Sequence, residues 1–179
     1  MRRWIAQRMI DRFGAHYRCD VGYMRHMLDI SSPAFFKFIA VAKMSRHGET
    51  APRDALFAAR LVGAMTEDCG PCVQIVVDMA REARMADHEI DAVLRRDIAA
   101  MSRDAAIAFR FADAVARRET ADAEREEVRK AWGEKAVIDL TFALQASRLY
   151  PMVKAGLGFA RECVRVKVGD NQVAVAKAA

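Results

Sequence analysis

The residues with the clearest chemical potential stand together in Thr66-Glu67-Asp68-Cys69-Gly70-Pro71-Cys72-Val73-Gln74. Two cysteines separated by two residues can serve as a dithiol/disulfide couple, as a buried structural pair, or as half of a zinc site. A closed zinc site wants four ligands. No second close Cys/His pair exists: Cys19 and Cys163 are isolated, and His16, His26, His47 and His88 show neither HxxxH nor HExxH spacing. No metal or organic cofactor is therefore expected, and the isolated Cys and His residues read as core, surface or interhelical positions.

The local setting is helical. The tetrapeptide Cys69-Gly70-Pro71-Cys72 also occurs in thioredoxins, where a buried strand feeds the motif. Here Asp54 to Met65 precedes it with alanine-rich helical spacing, and no βαβ alternation is present anywhere. A thioredoxin fold is excluded. Proline is tolerated in the first helical turn, so Gly70-Pro71 reads as the start of a helix that continues through Val73, Ile75, Val76, Val77, Met79 and Ala80. Residues at i and i+3 share a helix side, which lets Cys69 and Cys72 meet. Cys72 would lie where free backbone N–H groups and the helix dipole favour a thiolate. Glu67 and Asp68 oppose that by repelling the anion, yet a neighbouring carboxylate can also accept the thiol proton.

Composition sets the frame. A chain of 179 residues with 53% apolar content is about one domain long and can bury a substantial core. One domain over residues 1–179 is expected, with no disulfide framework. Arg2, Arg3, Arg8, Asp11 and Arg12 interrupt any secretory h-region. The longest apolar run, Pro33 to Met44, contains Lys37 and Lys43 and falls short of the roughly 18 residues needed to span a bilayer. A cytoplasmic chain without membrane contact is the expectation, and in a reducing compartment a CxxC favours catalysis or metal binding over structure. The net charge of +5 is spread along the helices rather than gathered into a stripe, and no nucleic-acid-reading motif accompanies it. No nucleic-acid partner is expected.

Periodicity is helical almost throughout and predicts about eight helices. Leu56, Ala59, Leu61 and Val62 share a face, as do residues of the Ala105–Val115 segment, and Val137 to Leu149 is apolar on most sides. Ser32-Pro33 and Thr50 with Pro52 read as helix openings, and Asp87 and Ser102 as caps. Gly48, Gly133 and Gly158 mark stops, and Pro151 is expected to kink or end the long helix near Tyr150. In the tail, Val164, Val166 and Val168 alternate with Arg165 and Lys167, and Gly169-Asp170-Asn171 supplies turn chemistry before Val173 and Val175. That pattern predicts a short C-terminal hairpin or extended arm over 161–179, docked on the body or on another subunit.

Two segments resemble the carboxymuconolactone decarboxylase family, in its alkylhydroperoxidase-like (AhpD-like) branch. One runs from Ala51-Pro52-Arg53-Asp54 through Glu67-Asp68-Cys69-Gly70-Pro71-Cys72. The other runs from Trp132-Gly133-Glu134 through Val137-Ile138-Asp139-Leu140 to Arg148-Leu149-Tyr150. The resemblance spans about residues 50–160. It implies an all-α, AhpD-like helical bundle that assembles into homo-oligomers (dimers, trimers or hexamers). It further implies a peroxiredoxin-type activity in antioxidant defence, with a hydroperoxide substrate and a dithiol reductant. In that scheme Cys72 attacks the peroxide and becomes a sulfenic acid, and Cys69 condenses with it to a redox-active disulfide. The family's relay histidine and glutamate fall on Val76 and Phe57 here. Glu67 is then the nearest candidate proton acceptor, with Asp68 and Gln74 next. A helical oligomer that binds an apolar ligand or a partner without catalysis is the alternative; a decarboxylase-type lyase is a further one.

Overall fold

The computed structural model describes residues 2–160 and 165–176; the expectations for Cys163 and Val164 lie outside the described residues. Within them the chain forms nine α-helices, one 3-10 turn and one two-stranded sheet. The all-α class holds, with one helix more than periodicity predicts. Helices α1 (Arg2–Tyr17), α2 (Gly22–Ile30) and α3 (Ser32–Ser45) enclose a small N-terminal core. Helices α4 (Arg53–Thr66) and α9 (Glu134–Gly156) form the central pair. Around them stand α5 (Gly70–Glu82), α6 (Asp87–Arg95), α7 (Arg103–Ala116) and α8 (Asp122–Trp132).

Small residues explain why α4 is central. Ala55, Ala58, Ala59, Gly63 and Ala64 are all buried, so neighbouring backbones can approach closely. At Gly63 the approach is tightest, since a Cβ there would press into the carbonyl oxygen of Leu144 on α9. The facing stretch of α9 buries Leu140, Ala143 and Leu144 completely. Its far half, with Leu149, Tyr150 and Val153, packs instead against Phe35, Phe38 and Tyr23 of the N-terminal core. One helix thereby joins both cores. Pro151 does not end it: α9 runs on to Gly156, and Gly158 (φ +78°) follows beyond it.

Caps differ from the sequence reading at three places. Ser31, one residue before the expected Ser32, caps α3 by accepting the Ala34 N–H. Asp87 is already inside α6, whose N-cap is Ala86, and its carboxylate pairs with Arg81. Pro52 precedes α4 without a side-chain cap. The donors before α4 are satisfied from a distance by Asp139 of α9. Its Oδ2 accepts the N–H groups of Glu49, Thr50 and Ala51 at 3.0, 2.9 and 3.0 Å, and His47 Nε2 lies 3.3 Å from Oδ1. Ser102 caps α7 as expected.

The tail forms the hairpin: β1 (Arg165–Val168) pairs antiparallel with β2 (Asn171–Ala174) through a turn containing Gly169 (φ +60°). A two-stranded hairpin is marginal alone. Here Val166, Val168 and Val173 insert into the main core, and the Ala176 N–H donates to the Leu94 carbonyl at 3.0 Å. Among the described residues no helix is long and apolar enough to cross a membrane.

Gly63→Ala is expected to lower unfolding free energy by about 1–3 kcal/mol through overpacking, read from denaturant midpoints at unchanged slope. Burial by itself would raise the Asp139 pKa, but the three backbone donors and His47 outweigh it and hold it below the usual carboxylate value. A depressed native pKa gives stability above the unfolded value near ~3.9, lost as pH falls through the native one. Asp139→Asn should therefore cost stability at neutral pH, by about 1–3 kcal/mol. The gap to wild type should close in acid below about pH 4.

Candidate functional site

The turn between α4 and α5 builds the thiol pair. α4 ends at Thr66, whose hydroxyl donates back to the Val62 carbonyl at 2.8 Å. Glu67 follows as its C-cap, and Asp68 takes a left-handed conformation (φ +51°), one that aspartate tolerates better than most residues. Cys69 is then the N-cap of α5, and its carbonyl accepts the Cys72 N–H at 2.9 Å. Pro71 lies in the first turn, where its missing N–H has no consequence. This winding places the two Sγ atoms 2.6 Å apart as free thiols. That separation exceeds a disulfide bond of about 2.05 Å and is short for a thiol hydrogen bond.

The two sulfurs are not equivalent. Cys69 is buried at 3% exposure, whereas Cys72 is only partly buried. The Cys69 thiol is lowered to about 6, chiefly by the hydrogen bond from Cys72. Burial opposes that shift, and the Cys72 backbone N–H and the Lys154 ammonium assist it. Cys72 is pushed far up by the same hydrogen bond, by burial and by the charge on Cys69. The pair thus releases one proton readily and retains the second, as a shared-proton monoanion.

The surroundings come from three further elements. Cys19 in the α1–α2 loop, Tyr23 of α2 and Lys154 in the last turn of α9 all interact electrostatically with the pair. Lys154 is 4% exposed, and its Nζ lies 5.7 Å from the centre of the Tyr23 ring. The Tyr23 hydroxyl is pushed up by burial and then by the nearby sulfurs. No segment-level signal marks Lys154 or Tyr23, because their influence on the cysteines arises only through folding.

The other residues singled out by sequence serve different neighbours. Glu67 is engaged by Arg148 of α9, with Nε to Oε1 at 2.8 Å. Gln74 clamps the hairpin: its Oε1 accepts the Lys167 N–H at 2.7 Å, and its Nε2 donates to the Lys167 carbonyl at 3.0 Å and to Asp78 at 2.9 Å. Asp68 is exposed. Phe57 and Val76, at the positions the resemblance assigns to a relay, are both in the main core. Among the described residues no group of three or more His, Cys, Asp or Glu is placed to hold a metal ion. Chemically, the arrangement offers a nucleophilic sulfur with a second sulfur already in attacking position.

No protein-family model matches the chain, and none of the curated proteins or solved structures matches it either.

Alkylation of the pair by iodoacetamide should follow a titration with a midpoint near 6, against about 8.5 for an ordinary thiol. Cys72→Ala, which removes the donated hydrogen bond, should raise the midpoint of the remaining thiol. Cys72→Ser, which can still donate, should raise it less.

Proposed function

We propose that this protein is a peroxidase-like thiol–disulfide oxidoreductase that reduces hydroperoxides through Cys69 and Cys72. The observation that carries the reading is the contact of two free sulfurs, 2.6 Å apart, at the N-terminus of α5. A shift of the shared proton from Cys72 to Cys69 puts the anion on Cys72, the residue that is only partly buried. Cys72 then attacks the peroxide: an S–O bond forms, the O–O bond breaks, and the alkoxide leaves as alcohol after taking a proton. Cys69 displaces hydroxide from the resulting sulfenic acid, which leaves as water, and the S–S bond closes. The net change is two thiols and one hydroperoxide to a disulfide, an alcohol and water. An external dithiol returns the two electrons by exchange.

The proton acceptor in this scheme is the partner sulfur and solvent, because the carboxylate of Glu67 is occupied by Arg148. The apolar Val137–Leu149 stretch, which suggests a ligand-binding role from sequence, packs mainly against α4, since α9 lies against α4, α3 and α8, and it leaves Ile138 exposed.

One equivalent of hydroperoxide should consume two thiols, counted with a chromogenic disulfide reagent. Cys72→Ser should abolish turnover. Cys69→Ser should leave a sulfenic acid at Cys72, detected by mass after trapping with dimedone. If both cysteines of the wild-type protein stay reduced under a mild excess of peroxide, the peroxidase reading is wrong.

A further inference from the structure

Helix α1 has two apolar sides, and the body of the protein uses one. Ala6 and Ile10 are buried in the N-terminal core, with Phe13 packed against it. On the adjoining side Trp4, Ile5 and Met9 stay 59%, 55% and 44% exposed. Residues four apart stand one above the other on a helix, so Trp4, Arg8 and Arg12 form one row and Ile5 and Met9 the next. Between the rows lies a hollow of about 400 Å³ lined by these five residues alone. No other element supplies a wall, which leaves a shallow strip along a single helix and not a groove. The charge on the strip is all of one sign. The Arg8 guanidinium lies over the Trp4 ring, 4.2 Å from its centre. The ion pairs between α1 and α2 join Arg3 to Asp29 and Asp11 to Arg25, so Arg8 and Arg12 are left without one among the described residues.

We propose that this strip docks α1 on an anionic lipid surface, with Trp4, Ile5 and Met9 entering the boundary between headgroups and acyl chains and Arg8 and Arg12 meeting lipid phosphates. The strip is separate from the thiol pair, and neither reading depends on the other. A helix that lies in the interface needs no spanning length, so the shortness of the apolar runs does not bear on it. Tryptophan favours the headgroup level, where its ring meets both apolar and polar surroundings. Arginine lays its aliphatic stem along apolar surface while its charge reaches outward. Because Ala6 and Ile10 already anchor α1 as a helix, docking has no new backbone to order.

Charge and shape select this occupant over others. A two-fold contact places a patch on its own image. A second copy of the chain would therefore set Arg8 and Arg12 against the same arginines, and no carboxylate on the strip answers them. A partner helix seats in an apolar groove, whereas α1 offers a single wall. An anionic bilayer matches both properties, since it moulds itself to a convex helix and presents its negative charge beside apolar chains.

The test mixes the full chain with vesicles of phosphatidylcholine and phosphatidylglycerol in equal parts, or of phosphatidylcholine alone. The protein should float with the anionic vesicles and not with the neutral ones. It should come off as salt is raised, because screening shortens the reach of the arginine charges. Trp132→Phe leaves Trp4 as the remaining tryptophan, and its emission should shift to the blue on the anionic vesicles. Replacing both arginines, Arg8→Gln with Arg12→Gln, should weaken binding by roughly tenfold or more, at about fivefold for each basic side chain near an anionic surface. Ile5→Ser with Met9→Ser should weaken it by roughly tenfold or more through lost apolar burial. All four side chains are exposed, so these variants should melt close to wild type. Equal binding to neutral vesicles, binding indifferent to the arginines, or no binding to anionic vesicles at low salt would each overturn the proposal. So would a Trp4 shift that follows protein concentration without lipid, which assigns the strip to a second copy. A shift produced by polyglutamate and not by vesicles assigns it to an acidic protein, and overturns the proposal equally.

Discussion

The contact between α4 and α9 is the constraint on which the rest of the structure depends. Glycine at 63 lets the α4 backbone rest on the Leu144 carbonyl, and the surrounding alanines leave room for the facing layer of leucine side chains. Close approach of this kind fixes the rotation of both helices, because dense packing tolerates few alternative registers. Two consequences sit at opposite ends of the pair. Near the start of α9, Asp139 reaches the three N–H groups that precede α4. Near the end of α4, the turn that carries the cysteines is tied to α9 through Glu67 and Arg148. The chemistry is placed by backbone approach, and the thiols inherit its precision.

The site lies at the seam of two cores. Cys69 and Cys72 begin α5, which packs in the main core through Val73, Val76 and Val77. The groups across from them, Cys19 and Tyr23, belong to the N-terminal core that α1 to α3 build. A seam offers what a continuous core does not: enough burial to make charge interactions strong, and enough discontinuity for one of the two cysteines to be only partly buried. Cys72 has that partial exposure, and Cys69 does not. The hairpin adds a third boundary. Gln74, two residues after Cys72, holds the β1 backbone by both its amide groups, so the first turns of α5 are tied to the C-terminal strands as well as to α4.

Much of this was legible in the residues themselves. Helical periodicity, the Cys69-Gly70-Pro71-Cys72 opening of α5, the Ser102 cap and the Val166–Val175 alternation are local patterns, and local hydrogen bonding decides them. Where local reading missed, a partner distant in sequence had intervened. Thr50 does not cap α4: its hydroxyl and its N–H both donate to Asp139, 89 residues away, and Pro52 stands at the N-cap. Glu67 reads as a proton acceptor beside the cysteines until Arg148, 81 residues on, claims its carboxylate. Gln74 reads as a member of the thiol site until the hairpin arrives. Pro151 reads as a kink or stop, yet α9 continues through it while its residues Leu149, Tyr150 and Val153 pack on the N-terminal core.

The sequence by itself determined the helical class, the valine alternation of the tail and the presence of two cysteines one helical turn apart, because each depends on residues within a few positions of one another. Only the tertiary structure decided that Cys69 is a buried residue and Cys72 a partly buried one. It also decided that the carboxylate of Glu67 pairs with Arg148, 81 residues further along the chain. Charges are matched through space, and no spacing along the chain encodes that.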